Sequence, residues 1–321
     1  MSTSTNVNGT TRPEAPVALL VRAEVPRLLR YAAGDWLTIV ATWLVLWAGP
    51  AWLYPLGALI IAGRLHALGV VLHDACHMSR RTDTTWLWLL QLVAGYPLGT
   101  TMEAMRYHHL RHHRSSGMAE DPYFKEGAST DATLRLLLRL RGLLLVPVWI
   151  VRGYFGSAAL VFPVWRPAYA RFFLQDRSGA DVAASAEVIA CLREEPKQAA
   201  YFTVVFVALW HFPTAVGLYY LVPLVVAGAL NVNRVIVEHL HVRCTDRRPA
   251  TVVATTVTHD RGPLGKLFLF PHNIGFHVVH HLYPYAALQS LPALHLWHRT
   301  GASAGELQAR PAKEEPVARE A

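Results

Sequence analysis

The chain of 321 residues is 53% hydrophobic and only 16% charged, with a formal net charge of +8 at pH 7 and a mean hydropathy of +0.25. A soluble domain carries roughly 25% charged residues, so these proportions exclude disorder, a collagen-like chain and a secreted disulfide scaffold, and point to a polytopic membrane protein. The three cysteines (Cys76, Cys191, Cys244) are too few and too scattered for a disulfide framework, and the positive charge is mostly arginine beside apolar stretches, as the positive-inside rule requires, with no nucleic-acid footprint.

Residues 1–34 read as a polar tail without a signal peptide, then a basic segment at Val21–Leu29 lying on a membrane surface. From Trp36 to Leu72 the chain is apolar apart from Arg64 and His66. As one helix it would span about 55 Å, nearly twice a hydrocarbon core of about 30 Å. The breaks at Gly49-Pro50 and Tyr54-Pro55 are therefore expected to fold it into a helical hairpin. Trp86–Gly99, at about 21 Å of helix, is too short to cross. Leu134–Trp165 is interrupted by Arg135, Arg139, Arg141 and Arg152. Both read as interfacial or re-entrant. A second hairpin is expected from about Ala199 to Asn231, broken near His211-Phe212-Pro213, and the tail 301–321 as disordered. Neither hairpin turn carries Lys or Arg, which places the termini and long polar loops in the cytoplasm. The expectation is an all-α integral membrane protein with four transmembrane helices in two hairpins and a cytoplasmic histidine-rich domain, residues 35–300.

The 17 histidines are the feature that needs a chemical explanation. His73 and His77 stand at i, i+4. His109, His112 and His113 form H-x-x-H-H at i, i+3, i+4, a spacing read as converging three rings on one point beside a helix. His239 follows the second hairpin, and His277, His280 and His281 repeat H-x-x-H-H. With four crossings, all these clusters fall on one face of the membrane. Nine imidazoles exceed the four ligands of a zinc site, and imidazole also suits iron. Spacing alone therefore reads as a multinuclear metal centre and leaves the element open. His108, His272, His66 and His241 read as bystanders, as do His259, His295 and His298, while His211 lies at the far-side turn. Cys76, between His73 and His77, reads as core packing. Asp74, Asp121 and Glu238 are candidates to orient ligand rings through the second ring nitrogen.

The segments R-L-H-A-L-G-V-V-L-H-D-A-C-H (64–77), Y-H-H-L-R-H-H (107–113) with Asp121-Pro122 behind it, R-V-I-V-E-H (234–239) and H-N-I-G-F-H-V-V-H-H-L-Y-P (272–284) resemble the membrane fatty acid desaturase superfamily. That superfamily includes acyl desaturases, alkane and carotenoid hydroxylases and carotenoid ketolases. The resemblance implies two non-haem iron ions held by His73, His77, His109, His112, His113, His239, His277, His280 and His281. Arg234 and Asn273 join the surrounding residues; Val235 stands where some relatives carry a water-binding Asn, which leaves Asn231, Asn233, Asn273 or solvent to replace it. It further implies an oxygen-dependent lipid desaturase, active on the cytoplasmic face of a multi-pass protein. A ferredoxin or cytochrome b5-like donor and its reductase would be separate proteins. The rivals are a hydroxylase or ketolase on the same site and, from another class, a non-catalytic metal-binding or transport protein.

Overall fold

The computed structural model describes residues 14–79 and 84–301. Among them it is all-helical, its one β feature an isolated bridge between His239 and Thr256. Helix α1 (Val25–Ala48) starts with Pro26 in its first turn, where a missing N–H costs nothing. It begins ahead of the boundary expected at residue 35, so Arg27 and Arg30 sit on its first turns and do not form a separate surface segment. Gly49 ends it, and a Cβ there would lie 2.7 Å from the Val45 carbonyl oxygen. Helix α2 (Tyr54–Ala75) packs along α1 and is buried on every side from Ile61 onward, save Arg64 and Gly69, which are half-buried. A helix apolar all round belongs in the middle of a bundle.

The segment expected to be re-entrant is a short helix, Thr84–Leu90, a π-turn, Gln91–Gly95, and a 3-10 turn, Tyr96–Leu98. Gly99, at φ 74°, reverses the chain. Helix α3 (Met102–Ser115) follows, its first turn capped by Thr101, which accepts from Ala104 N–H at 3.2 Å. The arginine-interrupted stretch resolves into two helices, α4 (Ala132–Arg141) and α5 (Leu145–Val161). Arg152 does not face lipid: it is buried and paired with Glu195 at 2.9 Å, on α6 (Ala186–His211). The side chain read as an interruption is thus the polar lock between α5 and α6.

Among the described residues, three helices are long and apolar enough to cross a membrane: Val25–Ala48, Ala51–Ala75 and Pro213–Glu238. The fourth crossing expected from sequence falls in α6, whose apolar half after Ala199 is preceded by Arg193, Glu194, Glu195 and Lys197 in the same helix. Past the π-turn Gly217–Leu221, helix α7 (Val222–Glu238) packs on α2. A short helix, α8 (His277–Leu282), lies against the ends of α2 and α3, and a further helix, Leu291–Thr300, follows it. The segment leading to it is tied to α2: Arg64 donates to the Leu267 carbonyl, and His66 Nδ1 to that of Phe268 at 3.0 Å.

Candidate metal centre

Four chain segments deliver the histidines, each for a local reason. His73 lies in the last turn of α2 and His77 just past its end. His109, His112 and His113 ride on α3. His239 is the first residue beyond α7, in extended backbone (φ −130°, ψ 142°) held by the bridge to Thr256. His277, His280 and His281 occupy α8.

All nine come together, in two groups. His73, His77, His109, His113 and His280 form one, and His112, His239, His277 and His281 the other; within each, the candidate ligand atoms lie within 4.8 Å of one another. Each H-x-x-H-H box is therefore shared between the groups, which corrects the single point of convergence expected from spacing. Residues i and i+4 diverge by only about 40° on a helix, whereas i+3 and i+4 diverge by about 100°. His109 and His113 accordingly turn to the first group and His112 to the second. On α8 the roles reverse: His277 and His281 join the second group and His280 the first.

The nitrogens face one another closely. His77 and His109 bring their Nε2 atoms to 2.9 Å, and His113 and His280 theirs to 3.0 Å. In the second group His239 Nε2 lies 3.1 Å from that of His112, and 3.3 Å from those of both His277 and His281. A neutral imidazole has one N–H, and His112 and His239 spend theirs outward on Asp121 and the Val235 carbonyl, so their Nε2 atoms face lone pair to lone pair. A cation between them satisfies both lone pairs, and the first group gathers five ring nitrogens in the same way, so the residues fit a metal in each group.

Burial disfavours the protonated form of seven of these rings, and the neutral form is the one a metal binds. It pushes His77 down to about 3, and holds His109, His113, His239, His277, His280 and His281 well below the usual histidine range, with neighbouring rings adding to the effect.

The groups differ in what supports them. In the second, three of the four outer nitrogens are hydrogen-bonded, and that of His277 has a carboxylate nearby. His112 Nδ1 donates to Asp121 Oδ1 at 2.9 Å, and His239 Nδ1 to the Val235 carbonyl at 3.1 Å. Glu238 lies 3.5 Å from His277 Nδ1, and Arg247 3.2 Å from His281 Nδ1. In the first, Nδ1 of His73, His77, His113 and His280 has no hydrogen-bond partner among the described residues. Burial alone would raise the Asp121 carboxyl, but His112 and the N–H groups of Gly117 and Tyr123 outweigh it and hold it at about 2.

Two expected supports lie elsewhere. Asp74 accepts from the Leu288 N–H at 3.4 Å, and Asn273 donates to the Leu288 carbonyl at 3.3 Å; both brace the loop after α8. Arg234 reaches the site indirectly, paired with Glu238 at 2.8 Å. Tyr123 and Arg247 were not singled out from sequence, since nothing local marks them.

The bystanders are placed as distinctly. His108 bonds the Tyr123 hydroxyl at 2.7 Å. His272, in left-handed backbone, stacks on Tyr31 and donates to Asp35 at 2.8 Å. His241 accepts from the Lys125 N–H at 3.4 Å, His259 Nε2 donates to the Val237 carbonyl at 2.8 Å, and Cys76 packs in the core. His108→Ala is accordingly expected to keep both metals, checked by elemental analysis against His109→Ala.

Buried neutral histidines also set a pH dependence. In an unfolded chain histidine takes up its proton near 6.5, whereas burial holds His77 and His108 at about 3 and His241 at about 4. Stability is thus complete above about pH 6.5 and is lost progressively as the pH falls towards 3. The melting temperature of metal-free protein should drop over that window; a flat profile would show that the rings are solvated.

A cavity of about 550 Å³ opens beside the histidines, with His73, His109, His112, His239 and His277 in its wall. Leu65, Leu98, Trp149 and Leu224 contribute to a mainly apolar remainder, and the volume is that of a typical small-molecule site.

Comparison with known proteins follows the same line. The family model described as "Fatty acid desaturase" matches residues 50–309. The chain is similar to the dihydrorhizobitoxine desaturase of Bradyrhizobium elkanii, 37% identical over 98 residues, which are 30% of this chain and 28% of that protein. The match thus spans less than a third of that relative's length.

Proposed function

The chain belongs to the fatty acid desaturase family, and on that premise we propose that it is an oxygen-dependent desaturase of an acyl or other lipid chain, using two irons held by the nine histidines. The observation that carries this reading is the pair of all-histidine groups, in each of which the candidate ligand atoms converge within 4.8 Å of one another. Bound there, the irons with O₂, two electrons and two protons supply the oxidising power to take two hydrogens from neighbouring methylenes, leaving a double bond and two waters.

The protein's own part is placement. The apolar cavity wall keeps water from a chain lying beside the histidines. Asp121 and the Val235 carbonyl fix two rings of the second group by taking their Nδ1 protons, so the opposite nitrogens keep their lone pairs directed inward. Membership of the family supports an oxidoreductase, and the printed name of the relative, a desaturase, favours double-bond formation over insertion of oxygen. Electrons come from a separate ferredoxin or cytochrome b5-like protein with its reductase.

The deciding experiment is product analysis in a host with and without the chain, beside the metal content of purified protein. A new double bond with close to two irons per chain supports the reading. Oxygen retained in the product would instead identify a hydroxylase or ketolase, and stoichiometric zinc in active protein would overturn the iron assignment.

The reading also takes four crossings, with both termini and all four histidine clusters on the cytoplasmic face. Reporter fusions after Thr85 and after Met118 should then both report the cytoplasm. Opposite signals would break the shared face that the two groups require.

A further inference from the structure

Helix α1 buries one stripe, Leu28, Ala32, Asp35, Ile39 and Leu46, at the spacing of a helix packed on its neighbours. Asp35 is the exception in it, a carboxylate 3% exposed in a helix long enough to cross a membrane. A charge there is costly and marks a role beyond packing. Its two bonds show which. On α2, Arg64 Nη1 donates to Asp35 Oδ1 at 3.1 Å; from the segment that leads into α8, His272 Nε2 donates to Oδ2 at 2.8 Å.

That segment is fitted against both helices. Arg64 Nη2 donates to the carbonyls of Lys266 and Leu267, and Gly63 leaves room for the latter, since a Cβ there would lie 2.7 Å from its oxygen. His272 and Asn273 then take left-handed backbone, at φ 53° and 69°. Two successive residues other than glycine hold that conformation only where their surroundings impose it. For His272 the surroundings are α1: its ring stacks on Tyr31, centroids 4.7 Å apart, one turn before Asp35.

His277 follows five positions after His272, and the connector is held on both sides. The His259 N–H donates to the Gly275 carbonyl at 2.8 Å, and Asn273 to the Leu288 carbonyl at 3.3 Å. A shift of His272 therefore reaches α8 with little slack. Behind α8, Asp74 accepts from the Leu288 N–H, so the short helix is strung between two buried carboxylates, Asp35 ahead and Asp74 behind. The α8 histidines are shared unequally: His277 and His281 belong to the second group, which has four members, and His280 to the first, which has five.

We propose that Asp35 is a positioning residue for the metal centre: from outside both histidine groups it holds the α8 histidines in register through His272. The proposal rests on the metal-centre reading for the metals it positions. Half of the second group rides on α8, against one member in five of the first. Slackening the tether should therefore loosen the second metal more than the first. His272 serves the site through its side chain without being a ligand.

The test is the release of ferrous iron from anaerobic protein to a chelator, beside hydrogen exchange over residues 266–282 in metal-free protein. His272→Ala should release the second metal about tenfold faster or more and the first little faster. Exchange should rise in 266–282 and stay unchanged in α3 and α7. His272→Gln, whose amide nitrogen stands close to where the ring Nε2 does, should restore slow release. Asp35→Asn should speed release in the unaltered chain and add little to His272→Ala, although it also weakens the Arg64 pair. Release unchanged in His272→Ala, equal acceleration at both metals, no rescue by His272→Gln, or an Asp35→Asn effect undiminished by His272→Ala would overturn the proposal. So would exchange raised throughout the chain or a His272→Ala protein that fails to fold, since either makes the pair a support of the whole fold. Exchange is read without metal, so an unaltered protein that binds no iron would fail the metal-centre reading while the exchange pattern still decides the tether.

Discussion

His239→Ala is expected to lose one of two bound metals and to lower turnover at least a hundredfold. His239 is the hub of the second group, its Nε2 within 3.3 Å of those of His112, His277 and His281. No other described side chain offers a ligand atom to that group, so nothing is in place to substitute. Disturbing a residue that merely orients a ligand costs about 10–100-fold in affinity or activity, and removing the ligand itself should cost more. His241→Ala is the control: it lies two residues on, outside both groups, and should keep both metals. Elemental analysis with product yield at matched expression decides the matter. Two metals retained by His239→Ala would show that the second group is not a metal site.

Asp121→Asn is expected to weaken metal binding about 10–100-fold, and at the second group only. Asp121 is held as a carboxylate by His112 and by the N–H groups of Gly117 and Tyr123. The neutral amide keeps the shape but gives up the charge that makes the His112 ring a stronger donor. Since Nδ1 of four rings in the first group has no hydrogen-bond partner among the described residues, that group has nothing comparable to lose. Metal titration should therefore turn from two similar steps into two separated ones. A uniform loss at both steps would mean that Asp121 acts on the fold as a whole.

Much of this was legible in the chain because it depends on near neighbours. The length of the apolar run and the Gly49-Pro50 break placed α1 and α2, and the histidine spacings named nine rings that the structure brings into two groups. The rule that failed was local as well. A triplet at i, i+3, i+4 does share a helix face, but that face is wide enough to address two centres, and only packing shows that two are there. Arg152 shows the same limit. In sequence it interrupts an apolar run; in the fold it meets Glu195, 43 positions away in the chain.

What the sequence determines by itself is the identity and helical phase of the nine histidines, the apolar helices and the excess of arginine, since each follows from composition or from the fixed rotation of one residue relative to the next. What the tertiary structure decided is the partition of each box between two groups and the attachment of Asp74 to Leu288. Those depend on which elements lie side by side, and adjacency between segments a hundred residues apart is set by how the helices bury their surfaces, which no short-range pattern encodes.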